Sequence, residues 1–208
     1  MDENTIYKTI NTEQLNIMEP DGTLKLCLFN SRSIPPLIMD GEDIKPGHRQ
    51  GDGSSGIIFF NSEGDECGGM SFTSHKTEDG GYRSSLSITF DQYKNDQIVQ
   101  MFTNEVNKKR SYGFRLFDRP DAHLRETIAD MLKFDAMTGE DEKSAFMADM
   151  AKKHSVRMLA GKAEDGSVGI MINDKSGKPR LRIVVGPDDN PVIEFLDSDG
   201  SVTKRIPE

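Results

Sequence analysis

One local pattern recurs through this chain and limits what it can fold into: a short alternating run of apolar residues, an acidic turn containing Gly, and another alternating run. Gly accepts positive φ, while Asp and Asn tolerate it and bond the nearby backbone, so such turns between alternating runs signal β-hairpins. Leu15 and Ile17 precede the turn Glu19-Pro20-Asp21-Gly22. Leu24, Leu26 and Leu28 follow it, alternating with Lys25 and Cys27. A period of two sends one set of side chains to each face, so one face is expected to be buried and the other not. The run Ile57-Ile58-Phe59-Phe60, its turn Asn61 to Asp65, and a weaker return through Met70 and Phe72 repeat the unit. Leu86, Ile88 and Phe90, the turn Asp91 to Gln97, and Ile98, Val99 and Met101 repeat it again.

The C-terminal part is the most regular. Its turn glycines Gly166, Gly177 and Gly200 are spaced by 177 − 166 = 11 and 200 − 177 = 23, with Asp188-Asp189-Asn190 near the middle of the longer gap. A turn about every dozen residues is the rhythm of an antiparallel meander. Val168, Ile170 and Ile172 alternate, as do Leu181, Ile183 and Val185, and Ile193 and Phe195 close the series. Loose repetition of one hairpin unit fits a solenoid, prism or barrel.

A helical stretch interrupts the strands. Pro120 suits a first helical position, with Asp118 as cap and Asp121 favourable near the N-terminus. Leu124, Ile128, Met131 and Leu132 then recur at helical spacing, and Thr138-Gly139 ends the helix. Asp141 to His154 forms a second, with Phe146, Met147 and Met150 on one side. The reading is therefore mainly β: antiparallel hairpin repeats over 1–117, an inserted αα-hairpin over 118–155, and a C-terminal β-meander over 156–208. Short helices are marginal alone in water, so their apolar stripe must pack on the sheet or on another copy of the chain. Leu124, Ile128, Met131, Met147 and Met150 are the candidate interface.

Charge and composition narrow the functional classes. The chain has 208 residues and a formal charge of −9, and its one basic cluster is Lys108-Lys109-Arg110, read as a solvated turn. Phosphate contacts dominate nucleic-acid affinity, so no nucleic-acid partner is expected. No apolar run approaches the roughly 20 residues of a membrane-spanning helix, and the N-terminus lacks the basic start and apolar run of a signal peptide. No membrane partner is expected, and the chain reads as cytoplasmic. Cys27 and Cys67 read as two free thiols of a reducing compartment.

The motifs that suggest chemistry fall to structural readings. Gly51-Asp52-Gly53-Ser54-Ser55-Gly56 has the dinucleotide-binding glycine spacing, but a loop precedes it and a strand follows, the reverse of the required context. Asp197-Ser198-Asp199-Gly200 fails as a calcium loop, because its sixth position is Val202 and its twelfth lies beyond Glu208. His48 and His75 read as loop residues, and His123 and His154 as residues near helix ends, His154 favourable there when protonated. No catalytic set, metal site or cofactor site is assembled, and no cofactor is expected. The run Phe90 to Gln97 packs acids, amides and a Tyr into one turn, which makes Asp91, Tyr93 and Asp96 candidate ligand-binding residues.

Three segments, Asn16 to Leu26, Phe59 to Gly69 and Phe90 to Tyr93, resemble parts of a group of β-rich bacterial proteins with no assigned activity. The resemblance implies a bacterial origin and transfers no site. The leading expectation is a homo-oligomeric binding or structural module, because open sheet edges are usually covered or paired. The alternative is a small-molecule-binding protein or enzyme with a pocket near loops 41–56 and 91–97, its ligand not specified by the sequence.

Overall fold

The computed structural model describes residues 6–207. Its strands are β1 (Gln14–Met18), β2 (Leu24–Phe29), β3 (Ile38–Met39), β4 (Glu42–Asp43), β5 (Ser55–Phe60), β6 (Glu66–Lys76), β7 (Tyr82–Asp91), β8 (Gln97–Val106) and β9 (Lys109–Phe117). Helices α1 (Leu124–Ala136) and α2 (Glu140–Lys153) follow, then β10 (Val156–Lys162), β11 (Val168–Asn173), β12 (Pro179–Val185), β13 (Pro191–Leu196) and β14 (Val202–Ile206). Twelve strands form one antiparallel sheet in which neighbours follow chain order, and β3 and β4 form a separate two-stranded pair. The mainly β architecture with a two-helix insert is thus what the hairpin pattern predicts. The β regions on either side of the insert belong to one sheet, because β10 pairs with β9.

One turn chemistry builds most of this ladder. In seven hairpins, starting at Glu19, Asn61, Thr77, Ala163, Asp174, Gly186 and Asp197, the first residue donates its N–H to the carbonyl four residues on. Its own carbonyl accepts the N–H of the residue three on, which has positive φ. This is a type I turn closed by a left-handed residue and a bulge. Glycine holds the left-handed position in six of the seven and Asp189 in the seventh. An Asx carboxyl or amide oxygen braces each turn, as where Asp197 Oδ1 accepts the N–H groups of Asp199 and Ser201. The β8–β9 turn differs: Asn107 and Lys108 both have positive φ, as a two-residue turn requires.

Several local expectations are corrected. His75 lies in β6 opposite Arg83, not in a loop, because β6 runs on to Lys76. Phe114 and Leu116 belong to β9, a strand that the hairpin pattern does not mark because Lys109 and Arg110 open it. Helix α1 starts at Leu124 rather than near Pro120, and its cap is His123 instead of Asp118. The cause is that the Pro120 and Ala122 carbonyls accept hydrogen bonds from Asn95 Nδ2, both at 2.8 Å, while Asp118 pairs with Arg157. His154 does end α2, but its Nδ1 accepts a bond from Arg119 at 3.2 Å. Burial and the neighbouring Arg119 cation push this imidazole below its ordinary pKa, which opposes the protonated capping role.

Among the described residues, neither helix packs its backbone closely along a strand of the sheet. Leu124 and Ile128 of α1 pack instead with Leu37, Met39 and Ile44 of the segment joining β2 to β5. A second small core joins Cys27, Phe29, Ile58 and Phe60 to Ile34 and Ile38 of that segment, so a loop covers one face of β2 and β5. Both cysteines are free, and Cys27 is fully buried there. Farther along this face, Gly113, Gly161 and Gly169 stand side by side on β9, β10 and β11. A Cβ at Gly161 would meet the Tyr112 carbonyl oxygen at 2.2 Å, so the backbones approach as only Gly allows. Phe102 lies buried opposite Gly113, and the Arg115 guanidinium stacks 3.8 Å from its ring centroid.

The turn from Gln92 to Asp96 anchors the insert. Lys94, rather than the residue after it, is left-handed, and its carbonyl accepts the Leu124 N–H at 2.8 Å. Asn95 is almost completely buried and ties the approach to α1 through its two amide bonds. Asn95→Ala should destabilise the protein by about 2–3 kcal/mol, because two carbonyls lose their donor where water is excluded. Denaturant unfolding followed by circular dichroism checks this, and a loss under about 0.5 kcal/mol would show that the amide does not anchor the insert.

Candidate functional site

The largest feature that could interact with a partner is the second face of the sheet. Side chains at directly paired positions share a face, so a row can be followed strand by strand. One row contains an apolar residue in every one of the twelve strands. Leu15, Leu28, Ile57, Met70, Ile88 and Met101 occupy it on β1 through β8. Phe114, Ala160, Ile170, Ile183, Ile193 and Ile206 continue it on β9 through β14. The adjacent row runs from Ile17 and Leu26 through Phe59, Phe90 and Val99 to Leu181 and Phe195. Lys204, on the edge strand, is its one charged member.

These residues are not covered. Ile183 is 42% exposed, Met101 53% and Phe90 54%. Of the two faces of β2, the one that carries Cys27 is buried, whereas Leu28 on the other is partly open to solvent. The opposite face carries the polar positions, including Thr89, Gln100, Arg115, Arg182 and Glu194 in one paired row.

The helical residues read as a candidate interface divide. Leu124 and Ile128 are buried within the chain's own core, Met150 is half-buried, and Met131 and Met147 are exposed. The helices meet each other through Phe134 and Phe146, with ring centroids 6.1 Å apart.

A polar cluster sits where three turns meet the start of α1. Lys94 Nζ pairs with Asp40, lies 2.9 Å from Glu63 Oε2 and faces the buried Asp65 carboxylate at 3.6 Å. Asp65 Oδ1 accepts the Asp40 N–H at 2.6 Å. The carboxylates raise the Lys94 pKa, and Lys94 in turn lowers those of Asp40 and Glu63. A permanently protonated, fully engaged ammonium is a clamp and a poor nucleophile. His123 Nδ1 accepts the Arg125 N–H at 3.1 Å, which leaves Nε2 to donate to Asp40 Oδ2 at 3.0 Å. Both imidazole nitrogens thus hold the helix start in place. No local spacing marks this cluster, because its members come from four separate segments.

The candidate ligand residues separate in the same region. Tyr93 is exposed, and its hydroxyl donates to Glu63 at 2.9 Å. Asp96 pairs with Arg119 at 3.1 Å. Asp91 is half-buried beside Glu66 and Asp96, and desolvation together with these two carboxylates pushes its pKa up to about 7. Burial raises Glu66 as well, opposed by the Arg49 guanidinium that grips both its oxygens at 2.7 Å. Among the described residues no group of three or more His, Cys, Asp or Glu is arranged to hold a metal ion. No helix among them is long and apolar enough to cross a membrane. No protein-family model matches the chain, and no curated protein matches it at a significant level.

Asp91 makes stability pH-dependent with a definite sign. Its folded pKa lies above the unfolded value, so the native state binds the proton more tightly and this group's contribution is lost as pH rises from about 4 to about 7. Asp91→Asn mimics the protonated acid. The variant should melt at a higher temperature than wild type at pH 8, with the difference much smaller at pH 5. Thermal denaturation at the two pH values checks this; an equal difference at both, or a less stable variant at pH 8, contradicts it.

Proposed function

We propose that this chain is a self-associating structural or binding module of bacterial origin, and that its apolar sheet face is the surface through which copies meet. The observation that carries this reading is the uncovered row of twelve apolar residues. Monomeric soluble proteins rarely leave such a continuous patch open to water. The bacterial origin rests on the three resembling segments named above.

The occupant we assign to the face is a second copy of the same face. Its two central rows carry no charge until Lys204 at the edge, so any partner must be equally uncharged across the same width. The chain's own face meets that requirement. Its size is also sufficient: strand spacing and rise give roughly 800 Å² per copy, matching the ~800 Å² per partner of a standard stable interface. Face-to-face packing of sheets at ~10 Å would interleave these side chains into a core that each copy lacks alone. The polar face would then point outward.

Met101→Glu combined with Ile183→Glu tests the assignment, since both positions are open to solvent in the isolated chain. Burying two carboxylates in an apolar contact is strongly unfavourable, whereas in a free sheet face they stay hydrated. Sedimentation velocity should show the variant at 23.2 kDa with an unchanged β circular dichroism spectrum. A folded variant that keeps the assembled mass of wild type removes this face as the interface.

A further inference from the structure

A second surface is independent of self-association. The segment between β2 and β5 encloses a cleft of about 610 Å³ beside α1, within the ~300–1,000 Å³ of small-molecule sites. Its apolar floor includes Ile34, Pro36 and Leu37, and Arg32, Lys45, His48 and Arg49 line it with a single acid, Asp43. Three of these four are cations, against a chain charge of −9, while burial and the Lys45 and Arg49 charges push the His48 imidazole below its ordinary pKa.

The cradle is braced rather than loose. Arg49 is fixed by its two bonds to Glu66 and by a third, at 3.1 Å, to the Pro35 carbonyl. Asn30 Oδ1 accepts the Arg32 N–H at 2.9 Å, and Asp43 Oδ1 accepts the Lys45 N–H at 3.1 Å. The Ile44 N–H donates to the Leu37 carbonyl across the base. Arg49 is neutralised by Glu66, but Arg32 and Lys45 have no carboxylate within 4.0 Å among the described residues. Among the described residues, Lys45 Nζ finds the Met131 sulfur, at 4.0 Å.

We propose that this cleft binds a small organic anion, its carboxylate or phosphate held by Arg32 and Lys45 and its apolar body seated on Ile34, Pro36 and Leu37. Arg supplies a planar fork of donors and Lys a mobile point charge, the pair suited to either oxyanion. His48, also in the lining, offers a third donor. The polar group sets orientation and the apolar floor excludes water from the ion pair.

Calorimetric titration of the full chain with phenyl phosphate, phenylacetate, benzyl alcohol and inorganic phosphate tests this. Saturable binding of phenyl phosphate or phenylacetate, and weaker binding of benzyl alcohol and inorganic phosphate, is expected. Whichever aromatic anion binds tighter identifies the headgroup as phosphate or carboxylate. Arg32→Gln with Lys45→Gln should weaken that binding about tenfold or more, as loss of charge-assisted bonds requires, with the thermal midpoint unchanged. Ile34→Thr, which makes the floor more polar without adding a charge beside the two cations, provides a second variant and should weaken the aromatic anions more than inorganic phosphate. No heat from either aromatic anion, equal binding of benzyl alcohol, or affinity unchanged in the double variant would overturn the proposal.

Discussion

The structure depends on register. Side chains alternate along a strand, so a slip of one residue in any pairing would move a whole strand's apolar set to the other face. Here the pairing is held by one turn chemistry used repeatedly, in which a left-handed residue and its bulge fix where the return strand begins. The Asx oxygens that brace these turns lie next to them in sequence, so each hairpin carries its own alignment. The product is a row of apolar residues that continues without interruption across twelve strands. A single layer of this kind has nowhere to bury that row within itself, and the account of self-association follows from that geometry.

The helical insert does not supply the missing layer. Its first helix is spent on a small core with the β2–β5 segment, and its second buries no residue. What fixes the insert is polar: the buried Asn95 amide, the Lys94 carbonyl and the carboxylates gathered on Lys94. These groups are strong where water is thin, and costly where left unpaired. Asp91, close by, is buried beside Glu66 and Asp96, and the Arg119 and Arg49 charges offset this only in part, so it bears some of that cost as a raised pKa. The insert thereby holds the β2–β5 segment and its cation-lined cleft at one end of the sheet, away from the open face.

The hairpins were legible because their signals are local. Gly22, Gly64, Gly166, Gly177 and Gly200 mark left-handed turn positions that alternation on either side confirms. The burial of β2 was not legible in the same way. The alternation through Leu24, Leu26 and Leu28 does not say which face is covered; that depends on what the β2–β5 segment lies against, and Ile34 and Ile38 pack on the side of Cys27. Strand β9 was missed because Lys109 and Arg110 open it with two charges, before Phe114 and Leu116 show the alternation. The true start of α1 depends on a side chain far away in sequence, Asn95, which takes the carbonyls that a longer helix would use. The Lys94 cluster was beyond reach for the same reason: no spacing rule joins Asp40, Glu63, Asp65 and His123 to a lysine in another turn.

We propose that another copy of the chain closes the open face. Absolute mass of the wild-type protein by light scattering, followed through serial dilution, tests it most directly. Self-association through this face gives a whole-number multiple of 23.2 kDa that persists on dilution, with little binding of a dye that reports exposed apolar surface. A well-folded species of 23.2 kDa at every concentration would contradict it.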